Sequence, residues 1–204
     1  MKCGVQMLSE ALSWFKKVAL QVGYGVVLET AGRAGNRNPH LHILMTSGGV
    51  TPKNRWQAVN YFPYDELHKW WQYHLLTMLK MRVSTPEMKQ QMDGLWQKYP
   101  NGLVAYLEEG QVPAGGQGLA YYLAKYVVSP PISLRRLLSY DGQRVRYWYR
   151  DHKSVKRQVA ELPVLRFIGR MVQHILPKGF HRMRYYGLHA MCKHQRVKLL
   201  LKTI

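Results

Sequence analysis

His40 and His42 are separated by one residue, and Tyr122 and Tyr126 by three. In a strand, residues i and i+2 share a face, so His40 and His42 would stand side by side. Two imidazoles on a rigid strand can share one metal ion. Ordinary histidines on a half-exposed strand fit the same spacing, so the weight of the pair depends on what else the chain supplies. In a helix, residues i and i+4 share a face, which puts both tyrosine hydroxyls on one side. Tyr121 is turned about 100° away. A buried aromatic stripe and a pair of nucleophiles both fit this pattern. Tyrosine, with an ordinary pKa near 10, needs help to attack at neutral pH. A divalent metal gives part of that help by polarising a phosphate and neutralising its charge. A metal-binding strand with a two-tyrosine helix makes one coherent chemistry: transfer of a DNA phosphodiester to tyrosine.

Both pairs need elements that hold them. The run Asn38-Pro39-His40-Leu41-His42-Ile43-Leu44-Met45-Thr46-Ser47-Gly48-Gly49 reads as a loop, a strand and a glycine turn. Pro39 blocks helix, and Leu41, Ile43 and Met45 alternate with His40, His42 and Leu44. Residues 26–30 read as a preceding strand, and the loop 31–38 returns the chain as an antiparallel neighbour, with Glu29 beside the histidines. Upstream, Leu8, Leu12, Phe15 and Val18 mark an amphipathic helix over 7–20, which Gly23-Tyr24-Gly25 is expected to end. Residues 63–80 give the clearest helix, with Leu67, Trp70, Trp71, Leu75 and Met78 on one broad face. His68 and His74 lie in that face and read as packing or surface residues, since no other ligand type is placed to join them. Ser84-Thr85-Pro86-Glu87 is a capping signal for a helix running to about Tyr99. The glycine-rich stretch 111–118 lacks Gly-Lys-Ser/Thr and Gly-x-Gly-x-x-Gly, so it reads as a flexible lead-in rather than a phosphate cradle. The tyrosine helix follows over 119–128, and Ser129-Pro130-Pro131 ends it. Residues 144–150 read as a strand and 155–162 as its hairpin partner. A helix over 163–175 has Val164, Phe167, Ile168, Met171 and Val172 inward, and 181–186 reads as a last strand.

Composition narrows the partner. The 204 residues are 47% hydrophobic and 12% aromatic, enough for a real core. Lys plus Arg exceed Asp plus Glu by 30 − 11 = 19, with a pI near 10.1. That excess points to a polyanion, foremost nucleic acid. No apolar run has transmembrane length, and Met1-Lys2-Cys3-Gly4 opens no secretory signal. Cys3 and Cys192 give neither a zinc ribbon nor a disulfide framework, which suits a reducing compartment. Beyond Ser133 basic residues dominate, interleaved with aromatics at Arg146-Tyr147-Trp148-Tyr149-Arg150 and Arg182-Met183-Arg184-Tyr185-Tyr186. Such a pattern fits phosphate contacts with bases stacked between them; it also fits a basic solvated face over a tyrosine-rich core. Lys125, Arg135, Arg136, Arg146 and Arg150 are the candidates for DNA contact.

His40-Leu41-His42 resembles the histidine–hydrophobic–histidine signature of the HUH endonucleases. Tyr122-Leu123-Ala124-Lys125-Tyr126 resembles the two-tyrosine motif of their rolling-circle transposases. With Asn38-Pro39, Phe62-Pro63-Tyr64, Val127-Val128-Ser129-Pro130-Pro131-Ile132-Ser133, Ile168-Gly169-Arg170 and Arg184-Tyr185-Tyr186-Gly187, the order and spacing are similar to transposases of the insertion-sequence 91 kind. The similarity runs from about Gly23 to about Ala190.

The resemblance implies an α+β fold with an HUH-type central antiparallel sheet, flanking helices, and the catalytic tyrosines on a helix. It implies one transposase core over 1–204: a leading helix to 22, the metal-site strands, helices and tyrosine helix over 23–131, and a basic portion over 132–204. His40, His42 and Glu29 would be ligands to Mg²⁺ or Mn²⁺, and Tyr122 and Tyr126 the nucleophiles. The implied reaction nicks single-stranded DNA at transposon ends, leaves a 5′-phosphotyrosine and transfers the strand in rolling-circle transposition. No membrane and no small-molecule substrate are expected, the oligomeric state is open, and the setting would be a bacterial cytoplasm with DNA. Family members carry a cysteine-rich zinc-binding segment upstream that this chain is expected to lack. A truncated transposase that binds DNA without cutting it is therefore the alternative.

Overall fold

The apolar patterns of this chain become two antiparallel sheets and five α-helices among the described residues. The computed structural model describes residues 1–62, 64–83, 85–107, 116–127, 129–151, 154–193, 195 and 197–198. In order come α1 (Lys2–Lys16), β1 (Gln21–Ala31), β2 (Arg37–Val50), β3 (Trp56–Ala58), α2 (Tyr64–Arg82), α3 (Pro86–Lys98) and α4 (Gly116–Val127). Then follow β4 (Leu137–Tyr140), β5 (Arg144–Arg150), β6 (Arg157–Pro163), α5 (Val164–Val172) and β7 (Met183–Gly187). One sheet has the order β3-β2-β1-β7 and the other β4-β5-β6. The fold is α+β, as the sequence leads one to expect.

The chain forms two compact units interleaved in sequence. The first comprises Met1–Val26, Ile43–Gly110 and Tyr185–Ile204; the second comprises Val27–His42 and Gln111–Arg184. In the first unit, Leu12, Leu20, Val22, Tyr24 and Val26 are buried, and the Tyr24 hydroxyl meets Ser9 Oγ at 3.0 Å. Trp14 of α1 packs on Trp70 of α2, with ring centroids 6.3 Å apart. His74 stacks on the same Trp70 and reaches Glu10 at 3.3 Å, while His68 Nδ1 lies 3.0 Å from the Leu103 carbonyl. Both histidines therefore serve packing. Thr85 caps α3 by accepting from the Met88 N–H, with Pro86 in the first turn.

Several boundaries differ from expectation, for physical reasons. Gly23-Tyr24-Gly25 does not end a helix but lies inside β1. A Cβ at Gly23 would stand 2.8 Å from the His189 ring, so glycine here permits close packing rather than a turn. Gly48 and Gly49 likewise continue β2, paired with Ala58 and Gln57 of β3. Pro39 sits within β2 near its start, and α4 begins at Gly116, inside the expected lead-in. In the second unit, β5 pairs with β6 from Arg144↔Pro163 to Arg150↔Arg157. Val145 and Tyr147 face the core there, and Tyr147 packs on Phe167 of α5 at 5.6 Å. Ile168 and Val172, expected inward on α5, are about half exposed (49% and 53%).

His189 gives the first unit a pH dependence. Burial holds its pKa below the ordinary 6.5, so as pH falls through 6.5 the unfolded chain takes up the proton first. Stability is then lost with falling pH until the depressed folded value is passed. Urea unfolding at a series of pH values is expected to show a smaller loss between neutral and mildly acidic pH in His189→Asn than in the native chain. Equal losses would remove His189 from this account.

Candidate active site on the β1–β2 hairpin

The expected histidine strand is the first half of β2, and its hairpin with β1 belongs to the second unit. The turn is closed by the Gly32 N–H donating to the Asn36 carbonyl (2.8 Å) and the Gly35 N–H donating to the Gly32 carbonyl (2.9 Å). Gly35 has φ +69°, and a Cβ there would meet Ile132 Cδ1 at 2.8 Å, so both conformation and space require glycine.

Side chains from β5 and α5, and His174 just beyond α5, capture the carbonyls of this turn. The Tyr147 hydroxyl donates to the Ala34 carbonyl at 3.0 Å and accepts from Arg170 Nη1 at 2.7 Å. Arg170 Nη1 also reaches the Ala34 carbonyl at 3.4 Å. His174 Nε2 stands 3.0 Å from the Gly35 carbonyl and Nδ1 stands 3.1 Å from Thr30 Oγ1. A carbonyl only accepts, so His174 Nε2 carries a proton toward Gly35. Tyr147 is fully buried, so it cannot stack on a base. One of the aromatics read as a DNA contact is a structural bolt instead.

The hairpin presents its two imidazoles together. The His40 and His42 ring centroids are 4.9 Å apart at an interplanar angle of 69°, and both residues are half-buried. His40 Nδ1 lies 2.7 Å from the Asn38 carbonyl. Nδ1 is therefore the donor, and neutral His40 keeps a lone pair on Nε2. A second hydrogen bond that fixes the tautomer is the usual support of a metal-ligating histidine.

Glu29 lies on β1 in the electrostatic field of His40 and His174. Its Oε1 accepts from Arg182 Nη2 at 2.5 Å. Burial pushes its carboxyl pKa up, and Arg182 is the strongest of the charges that oppose this. Arg182 also holds β1 through its carbonyl, which accepts from the Leu28 N–H at 2.8 Å. Among the described residues no three His, Cys, Asp or Glu side chains converge in a group able to hold an ion. The structure thus brings His40 and His42 together, with Glu29 close in charge but engaged with Arg182.

Tyr122 stands on α4 and is half-buried, while Tyr121 is 80% exposed. The side chains of Tyr126 and Lys125 lie outside the described residues. Arg135 and Arg136 form a single 3₁₀ turn before β4. Arg136 Nη1 donates to the Arg33 carbonyl at 3.3 Å, and the Arg135 carbonyl accepts from Trp148 Nε1 at 3.2 Å. Arg146 and Arg150 are exposed on β5, with Arg146 3.6 Å from Glu161. Tyr147, Arg170, His174 and Arg182 were not singled out as a supporting set by sequence. The one local signal was the alternation that puts Tyr147 on the face of Val145.

Residues 23–196 match the family model Y2_Tnp, described as "Putative transposase". The chain belongs to this transposase family. It is 29% identical over 185 residues to the transposase for insertion sequence element IS801 of Pseudomonas savastanoi pv. phaseolicola, a match covering 86% of this chain and 45% of that protein. It is 27% identical over 187 residues to "Putative transposase y4qJ" of Sinorhizobium fredii (strain NBRC 101917 / NGR234), covering 84% of this chain and 47% of the other. The chain thus spans about half the length of the curated relatives it matches. No solved structure matches it. The matched residues span β2, with His40 and His42, and α4, with Tyr122 and Tyr126. Among the described residues no helix is long and apolar enough to cross a membrane.

The Tyr147 bolt can be tested directly. Tyr147→Phe keeps the ring and removes the hydroxyl that links Arg170 to the Ala34 carbonyl. It is expected to cost about 0.5–1.5 kcal/mol in urea unfolding, the net range for one such hydrogen bond, since the Ala34 carbonyl keeps its contact with Arg170 Nη1. A variant as stable as the native chain would show that the hairpin does not depend on this bond.

Proposed function

We propose that this chain carries the strand-nicking centre of a two-tyrosine DNA transposase. The observation that carries the reading is the pair of adjacent imidazoles on the hairpin, His40 with its tautomer fixed, in a chain of the Y2 transposase family. His40 and His42 would hold Mg²⁺ or Mn²⁺ through ring nitrogens. Glu29 would be the third ligand, through a carboxylate oxygen. A bound divalent ion supplies polarisation of the scissile phosphate and neutralises its charge.

The chain's own residues do the rest. The phenolic oxygen of Tyr122 or Tyr126 attacks the phosphorus of one DNA strand. A bond from phosphorus to the tyrosine oxygen forms as the bond to the 3′ oxygen breaks. The proton lost by the tyrosine is matched by the one the 3′ oxygen takes up. One phosphodiester replaces another, so no outside energy source enters. The product is a 5′-phosphotyrosine and a free 3′-hydroxyl. The second tyrosine repeats the step on another strand, and attack by a 3′-hydroxyl on the phosphotyrosine completes the transfer. On this reading the substrate is single-stranded DNA at transposon ends, the process is rolling-circle transposition, and the setting is a bacterial cytoplasm.

With Mn²⁺ and a single-stranded oligonucleotide carrying the element's end, the full chain is expected to form an adduct that survives a denaturing gel. Tyr122→Phe/Tyr126→Phe is expected to form none. An adduct that persists in the double variant would overturn the assignment of the nucleophiles. The metal role has its own readout. His42→Ala is expected to weaken Mn²⁺ binding by about 10–100-fold in calorimetric titration, of the order seen when a metal site's support is removed. Unchanged affinity would take His42 out of the site.

A further inference from the structure

We infer that the exposed face of the β4-β5-β6 sheet is a track for the backbone of single-stranded DNA, centred on Trp148. This rests on the proposed function only for the identity of the polyanion. Strand period puts Arg144, Arg146, Trp148 and Arg150 on one face of β5, with Val145 and Tyr147 buried on the other. Arg157 of β6 pairs directly across from Arg150, so it joins the same face. Arg136 approaches Trp148 from the β4 side and Arg157 from the β6 side. Their guanidinium carbons stand 5.6 Å and 4.6 Å from the indole centroid.

Trp148 is itself fixed by the bond from Nε1 to the Arg135 carbonyl at 3.2 Å. The indole is therefore a platform that orients two guanidiniums by cation–π attraction. Arg136 gives Nη1 to the Arg33 carbonyl, and its remaining N–H groups and the planar fork of Arg157 are suited to phosphate oxygens. Among the described residues the carboxylate paired with this face is that of Glu161, which meets Arg144 at 2.5 Å and Arg146 at 3.6 Å. Arg150 and Arg157 face each other as like charges, a destabilising arrangement in a strand pair. A polyanion laid on the face reverses the sign of that cost.

The geometry favours an unpaired strand. Same-face residues on β5 recur about every 6.8 Å, close to the spacing of phosphates along an unstacked strand. A three-stranded sheet face is not the helix or two-stranded ribbon that enters a duplex groove. Val159, opposite Trp148 and 51% exposed, adds apolar surface that an unpaired base can cover.

The test is fluorescence anisotropy of labelled oligo-dT with the full chain, across a salt series and in chelator. Arg146→Ala/Arg150→Ala/Arg157→Ala is expected to weaken binding about tenfold or more. Its log–log salt slope should fall by about 2, since three contacts at about 0.7 each are lost. The matching triple Lys variant should keep most of the slope, and circular dichroism melts check that both variants fold. A folded Ala variant with native affinity and slope would overturn the inference. So would a duplex of equal length that binds as tightly and loses as much. Chelator keeps nicking out of the result. If no adduct forms with metal while this binding loss is seen, the nicking reading fails and the DNA track stands.

Discussion

The hairpin that carries the paired histidines depends on two backbone carbonyls at its turn. Ala34 is held by Tyr147 and Arg170, and Gly35 by His174. Each such bond contributes about 0.5–1.5 kcal/mol net, more where the donor is charged. Their greater effect is positional. A free hairpin is marginal in water, and its tip would let His40 and His42 drift. Bolted to side chains from β5, α5 and the residues after it, the turn fixes the start of β2, and the strand period then fixes the two imidazoles against each other.

Electrostatics divides the second unit into two chemical surfaces. On the hairpin, Arg182 pairs with Glu29, whose carboxyl pKa burial pushes up while Arg182, His40 and His174 pull it down. On the β5 face, arginines gather around one indole with little acid to balance them. The excess of 19 positive charges over the whole chain is thus not spread evenly in purpose. Part of it holds structure, as Arg170 and Arg182 do, and part is presented outward, as Arg146 and Arg150 are.

What could be read in the sequence was what is local. The two histidines share a face because period 2 is a property of any strand, and the tyrosines sit on a helix because Leu119 to Val127 carries no breaker. The family was read from the order and spacing of several short stretches, and the family match bears out the family. Glycines misled. Gly23, Gly25, Gly48 and Gly49 look like turns, but they lie in strands, and at Gly23, Gly48 and Gly49 a neighbouring atom comes too close for a Cβ. Tyr147 misled for a related reason: its basic neighbours suggested DNA, while its own strand face points to the core. The bonds from Arg170, His174 and Arg182 join residues more than 130 positions apart, at 136, 139 and 153. No spacing rule reaches that far, so they became visible only in the fold.

The central claim is that the chain exchanges a DNA phosphodiester for a tyrosine ester. The most direct measurement is mass spectrometry of proteolysed reaction products made with Mn²⁺ and single-stranded end DNA. The account predicts a peptide spanning Tyr122 to Tyr126 with a nucleotide joined through its 5′ phosphate to one of the two phenolic oxygens. Cleaved DNA bearing a free 5′ phosphate from the first turnover, with no nucleotide-linked peptide, would mean that water is the nucleophile and would contradict it.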